Sequence, residues 1–130
     1  MKCIVKALFI TTLCFAALSC NSIPEISDDA TSTQLIQLGQ NALETSNYKA
    51  AEHYYNTAIK RYGMDTATYI EASYEIAHMN MKRKYYEEAY AKFSEILEIY
   101  RTAEVGTLPG AYKKLAQMGI ENIPSKYKNN

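Results

Sequence analysis

The chain has 130 residues, and its 14 Lys and Arg residues balance 14 Asp and Glu residues, which gives a formal net charge of zero. This balance excludes a strongly basic nucleic-acid binder and a strongly acidic disordered chain. Hydrophobic residues make up 48% of the sequence, enough to build the core of one small domain. All three cysteines, Cys3, Cys14 and Cys20, fall within the first twenty residues.

Residues 1–20 have the features of a secretory signal. Two lysines precede an uncharged hydrophobic segment, 7–18, which is shorter than the roughly 20 residues that cross a membrane. The residues before Cys20 are Ala-Leu-Ser, and together with Cys20 they resemble the lipobox of bacterial lipoproteins. In that family the cysteine after the cleavage site receives a diacylglycerol. The resemblance implies a signal peptide over 1–19 and a lipid anchor at Cys20, and the alternative is a soluble secreted protein that begins with a free thiol.

The segment 20–33 is predicted to be a flexible tether between the anchor and the domain. It is polar and contains one proline and three acidic residues, a composition that is typical of linkers. Removal of Lys2 and Lys6 with the signal leaves 12 basic residues against 14 acidic ones. Attachment to a membrane would therefore depend on the lipid and not on charge.

The remaining chain is predicted to be all-α, because its apolar residues recur with helical spacing and no segment alternates as a strand does. Thr31 and Gln34 predict a capping box at the start of the first helix, whose core face includes Leu38. Asp65 is a candidate N-cap of the third helix, and Pro109 is expected to open a last short helix. The domain is predicted to span residues 34–119, followed by a disordered tail over 120–130.

Two pairs of predicted helices share one spacing pattern. The matching positions are Leu38, Gly39, Ala51, Tyr55 and Ala58 in the first pair and Ile76, Ala77, Ala89, Phe93 and Ile96 in the second. This pattern resembles the tetratricopeptide repeat (TPR) family, in which small residues let two helices approach closely beside an aromatic residue. The resemblance implies antiparallel helix pairs over about 32–65 and 70–103, stacked as a short solenoid with a capping helix over 109–118. The alternative is an unrelated four-helix bundle.

Catalytic and metal-binding patterns are scarce in this sequence. Glu75 and His78 have the E-x-x-H spacing of di-iron helices, but such a site needs a second copy of the motif and two further glutamates. The sequence contains no phosphate-binding loop, nucleophile elbow or zinc-ligand spacing. We therefore expect a protein that is not an enzyme and that needs no cofactor or metal.

The TPR resemblance implies a groove that binds a partner and is lined by the first helix of each repeat. Carried over by spacing, the groove residues are Thr33, Ile36, Gln40, Leu43, Glu44, Glu71, Tyr74, His78, Met81 and Lys82, with Lys113 and Gln117 from the last helix. Ile36 and Gln40 occupy the places where some members hold a C-terminal carboxylate with Lys and Asn, so this clamp is not expected. Leu43 and Met81 have an alternative role in the core between the repeats.

The combined resemblances imply a non-catalytic lipoprotein of the cell envelope that binds a protein or peptide partner. Asn21 follows the predicted lipid anchor, and it is not the Asp that retains some lipoproteins in the inner membrane, which favours the outer membrane. Two alternatives belong to other functional classes. One is a small-ligand-binding accessory of a transport system, and the other is a structural lipoprotein without a dedicated cleft.

Overall fold

A computed structural model describes residues 23–128, and the regular secondary structure of this part of the chain is helical, without β-strands. Its helices are α1 Ser32–Glu44, α2 Tyr48–Tyr62, α3 Thr66–Lys82, α4 Tyr86–Thr102, α5 Gly110–Glu121 and a short 3-10 helix, Ser125–Tyr127. The predicted all-α class is thereby confirmed for the described residues. The predicted signal peptide and Cys20 lie outside them. None of the helices in 23–128 has the length and apolar character to cross a membrane.

The helix starts follow the capping signals of the sequence. The Thr31 hydroxyl accepts the backbone N–H of Gln34 at 3.2 Å, and the Gln34 side chain accepts the backbone N–H of Thr31 at 2.9 Å, so the capping box is confirmed. Asp65 caps α3 by accepting the backbone N–H of Thr68 at 3.0 Å. These side chains satisfy N–H groups that have no partner within the first turn of a helix.

The turns inside the two helix pairs have the same backbone geometry. Ser46 between α1 and α2 has a φ of 58°, and Lys84 between α3 and α4 has a φ of 61°, both in the left-handed region. Each turn also closes with hydrogen bonds from two successive N–H groups to the preceding helix, which Ser46 and Asn47 donate in the first turn. Lys84 and Tyr85 donate the same two bonds in the second. The two helix pairs therefore share the geometry of their turns as well as the spacing of their residues.

Adjacent helices pack against one another along the chain, consistent with a helical solenoid. In the first pair, a Cβ added at Gly39 would lie 2.7 Å from Cδ1 of the Tyr55 ring, so the absence of a side chain permits this approach. Gly119 of α5 contacts the ring of Phe93 in α4 equally closely. In both the α1–α2 and the α4–α5 contacts, a glycine on one helix thus allows an aromatic ring of the other helix to approach its backbone closely.

Two core clusters share α3 between them. Ile76 and Met79 join the first cluster with residues of α1 and α2, whereas Ile70 and Ala77 join the second with residues of α4 and α5. A helix that contacts neighbours on two sides needs more than one apolar stripe. The two clusters therefore lie against different faces of α3.

The tether is not entirely separate from the domain, in contrast to the prediction for 20–33. Ile26 packs against the first core cluster, and Ala30 is buried within it. An Arg61 guanidinium N–H donates to the Ser27 carbonyl at 2.7 Å, and the Tyr62 hydroxyl donates to the Ala30 carbonyl at 2.7 Å. The chain before α1 is therefore bound to the C-terminal end of α2.

The tail also differs from the prediction of disorder over 120–130. Helix α5 continues to Glu121, and Ile123 is 2% exposed in the second core cluster. The Tyr127 ring lies 5.2 Å from the Tyr86 ring, centroid to centroid. These apolar contacts order the chain as far as the 3-10 helix, although its many polar residues suggested a solvated end.

Candidate functional site

A pocket of about 300 Å³ lies between α1 and α3. Its lining consists of Gln40, Leu43 and Glu44 from α1 and Tyr74, Glu75, His78 and Lys82 from α3. Without Thr33, the predicted groove has nine residues on α1 and α3. Six of these nine residues line the pocket. Glu75 is the lining residue that the groove assignment missed.

The carboxylate of Glu75 lies in the wall of this pocket and is largely buried, since the residue is only 8% exposed. The Gln40 side-chain amide donates to Glu75 Oε1 at 2.8 Å, which joins α1 to α3. Among residues 23–128, no Lys, Arg or His forms an ion pair with Glu75. The pocket therefore contains a buried carboxylate whose charge no neighbouring side chain neutralises.

Aromatic rings form one wall of the site. The Tyr74 and His78 rings are nearly parallel, at an interplanar angle of 15° and a centroid distance of 6.1 Å. The Tyr112 ring of α5 lies 5.5 Å from the Tyr74 ring, so the last helix supports this wall. Burial, followed by the charge of Glu75, raises the pKa of Tyr74. Burial and then the neighbouring Glu71 carboxylate raise the pKa of Tyr112, so both hydroxyls stay neutral at physiological pH.

Three residues of the predicted groove lie outside the pocket. Ile36 is 4% exposed in the first core cluster, so its side chain is not available to a partner. Met81 packs against the second core cluster, and Glu71 lies beside Tyr112. Leu43 is 5% exposed and belongs to the core as well as to the pocket wall. Helix packing therefore takes up much of the apolar surface that the spacing pattern assigned to a partner.

The remaining residues of the predicted groove, on α1 and α5, are exposed to solvent and do not line the pocket. They are Thr33, Lys113 and Gln117.

The E-x-x-H pair of Glu75 and His78 lies in the pocket, where Glu75 accepts a hydrogen bond from Gln40. In the described part of the chain, no group of three or more His, Cys, Asp or Glu residues is arranged to hold a metal ion.

The buried hydroxyl of Tyr55 provides a test of the packing beneath this site. Tyr55 is fully buried, and within residues 23–128 no hydrogen bond of good geometry reaches its hydroxyl, although the Glu75 carboxylate lies close enough to interact with it. Burial, followed by the charge of Glu75, raises its pKa well above the ordinary value near 10. A hydrogen bond of poor geometry contributes little to stability, so we expect Tyr55→Phe at pH 7 to change the free energy of unfolding by less than about 1 kcal/mol.

The raised pKa also determines the response to alkaline pH. Above pH 10 the unfolded chain releases the Tyr55 proton before the folded chain does, so the free energy of unfolding of the wild type should fall as pH rises. Tyr55→Phe should show a smaller fall in urea unfolding measured from pH 7 to pH 11. The exposed Tyr85, replaced in the same way, is the matched control. A loss of more than about 1 kcal/mol at pH 7 would mean that the Tyr55 hydroxyl has a native partner.

Comparisons with known proteins provide a relative but no function. No model of a known protein family matches the sequence, and no solved structure matches it. An uncharacterized protein of Treponema pallidum (strain Nichols) is 29% identical over 112 residues. The match covers 84% of this chain and 45% of the relative, so the chain spans less than half of the length of that protein.

Proposed function

We propose that this chain is a non-catalytic lipoprotein of the cell envelope, and that its helical domain binds a protein or peptide partner at the pocket between α1 and α3. The observation that carries the proposal is the convergence of Gln40, Tyr74, His78 and Lys82 on one pocket that opens beside an exposed Glu44. These side chains combine aromatic surface with hydrogen-bonding and charged groups, the mixture that recognises protein segments.

We further propose that the helix pairs stack as TPR-like repeats. The turns at Ser46 and Lys84 repeat the same φ, and they are as far apart in sequence as Ala51 and Ala89. The hydrogen bond between Gln40 and Glu75 also joins the first helices of the two pairs, the helices that form the groove in TPR proteins. An unrelated four-helix bundle has no reason to repeat a strained turn at this interval.

The small-ligand alternative predicts an enclosed apolar cavity, and a second cavity of the described residues is a poor match. It has a volume of about 710 Å³ and lies between the segment before α1 and α1 itself. Apolar residues such as Ile26, Leu38 and Tyr54 contribute to its lining, but the cavity is open to solvent and not enclosed. Small-ligand sites bury most of the surface of their ligand, so protein binding at the α1–α3 pocket is the preferred proposal.

The lipid anchor is tested by replacing Cys20 in the full chain and feeding the cells a clickable fatty acid. We expect the wild type to be labelled and to sediment with membranes, and Cys20→Ser to lose both properties. Cys14→Ser, which changes a cysteine inside the predicted signal, is the matched control and should remain labelled. Equal labelling of Cys20→Ser and the wild type would exclude the proposed anchor.

The partner-binding proposal is tested by photo-crosslinking in intact cells from a benzoylphenylalanine probe. The probe is placed at Glu44, which is exposed at the pocket, because the other candidate, Tyr74, packs against neighbouring rings. Ala91 on α4 is also exposed and serves as the control position. We expect a discrete adduct from Glu44 and none from Ala91. Equal adducts at both positions, or none at either, would favour a structural lipoprotein without a dedicated cleft.

A further inference from the structure

We infer that the pocket between α1 and α3 binds a basic side chain of the partner, Arg or Lys, and that Glu75 supplies the carboxylate that pairs with it. The inference rests on the proposed function, because it specifies what the partner presents to the same site. It follows from the burial, the hydrogen bonding and the surroundings of this one carboxylate.

The carboxylate of Glu75 retains unused capacity for a cation. A carboxylate has two oxygens that together accept several hydrogen bonds. Gln40 donates one to Oε1 and the buried Tyr55 hydroxyl lies close by, which leaves further acceptor positions free. Burying a charge is costly unless it is paired. Glu75 is 8% exposed, and no basic side chain of the described residues pairs with it. A cation that entered the pocket would provide the missing pair.

The neighbouring side chains also suit a cation on a short aliphatic stem. The Tyr74 and His78 rings both line the pocket, and aromatic rings attract a guanidinium or ammonium group that comes close to them. Leu43 offers apolar surface to the stem, and Glu44 adds a second, exposed carboxylate. A volume of about 300 Å³ is at the lower end of small-molecule pockets and fits a single side chain.

Other ligand classes fit this chemistry less well. An anion would meet the carboxylates of both Glu44 and Glu75, with only Lys82 in the lining to offset them. A metal ion would need a group of three or more ligating side chains, and the described residues contain none. A basic side chain needs one buried carboxylate and an aromatic wall, which the pocket provides.

The test uses the full chain, purified as it accumulates in the cell, and NMR titration with three small probes. These probes are n-butylguanidinium, n-butylammonium and the uncharged isostere N-butylurea. We expect the two cations to shift the signals of the Tyr74 ring and the Gln40 side-chain amide, and the urea to shift neither. The inference is overturned if N-butylurea binds as well as the cations, or if no probe shifts these signals.

Matched variants identify the group that pairs with the cation. Glu75→Gln keeps the size of the side chain and should weaken cation binding at least tenfold, whereas Glu44→Gln, at an exposed carboxylate of the same pocket, should weaken it less than threefold. Lys82→Gln removes the basic residue of the lining and should strengthen binding about twofold. Equal affinity of Glu75→Gln and the wild type would contradict the assignment of Glu75.

Photo-crosslinking from Glu44 separates this inference from the proposed function. If the adduct persists unchanged in Glu75→Gln, the groove binds a partner without the cation, so the inference fails and the proposed function stands. If the wild type gives no adduct but binds the cations in a Glu75-dependent way, the partner-binding proposal fails and a small cation remains the occupant. Loss of the adduct in Glu75→Gln supports both.

Discussion

Replacing Phe93 with alanine is expected to lower the free energy of unfolding by about 3–5 kcal/mol. Phe93 is 2% exposed in the second core cluster, and its ring contacts Gly119 of α5 and the Tyr74 ring of α3, at a centroid distance of 5.9 Å. Truncation therefore leaves a cavity where three helices meet. Urea unfolding followed by circular dichroism measures the change.

Two further variants make the Phe93 prediction specific. Phe93→Leu keeps most of the apolar volume and should cost less than Phe93→Ala, whereas Tyr85→Ala removes an exposed ring and should cost less than about 1 kcal/mol. The rate of limited proteolysis near Gly119 is a second measurement. Phe93→Ala removes the ring on which α5 packs, so α5 should be cleaved faster than in the wild type. A loss below about 1 kcal/mol in Phe93→Ala would mean that α5 does not pack on this ring.

Replacing Gly39 with alanine is expected to lower the free energy of unfolding by about 1–3 kcal/mol, although alanine favours helix formation over glycine by about 1 kcal/mol. The new Cβ would lie 2.7 Å from Cδ1 and 2.8 Å from Cζ of Tyr55, and nearer still to Cε1. The Tyr55 ring is fully buried and cannot turn away into solvent. Overpacking therefore outweighs the gain in helix propensity.

Gly110 provides the matched control for Gly39. Nothing lies within 4 Å of the position where its Cβ would be, so Gly110→Ala should be neutral or slightly stabilising in the same urea unfolding. Combining Gly39→Ala with Tyr55→Leu should cost less than the two single losses together, because the smaller side chain removes the clash. If Gly39→Ala behaves like Gly110→Ala, α1 and α2 do not approach this closely.

Features that depend on residues near one another in sequence could be predicted. The capping box of Thr31 and Gln34 and the N-cap at Asp65 depend on side chains and backbone within one helical turn. The contact between Gly39 and Tyr55 follows from the fixed offset between two helices joined by a short turn. The presence of the helices and the packing of consecutive helices could therefore be predicted from the spacing of residues along the sequence.

Features that depend on a third element could not be predicted in this way. Leu38 shares the apolar stripe of α1 and is nevertheless 40% exposed, whereas Ile36, assigned to the groove, is buried by the neighbouring helices. Spacing on one helix does not show how many faces its neighbours cover. Ile26 and Ile123 lie in polar segments, and their burial depends on folding back onto helices distant in sequence.

The candidate site shows the same division. Gln40, Tyr74 and His78 were assigned to it from their register within the predicted repeats. The burial of Glu75 was not predicted, because it depends on contact with α1, which lies 35 residues earlier at Gln40. The E-x-x-H spacing of Glu75 and His78 is instead a pattern of metal-binding sites. The burial of the Glu75 carboxylate depends on the packing of α3 against α1, which spacing along the sequence does not show.

The contact of α1 with α3 forms the pocket on which the proposed function depends, and cysteine crosslinking tests it most directly. Gln40→Cys and Glu75→Cys are introduced together into residues 20–130 carrying Cys20→Ser, and a short bifunctional thiol reagent is added. The control pair replaces Gln37, which is exposed and lines the cavity on the other side of α1, together with Glu75. We predict rapid crosslinking at positions 40 and 75 and none in the control pair. Equal crosslinking of the two pairs, or none in either, would contradict the stacking of α1 on α3.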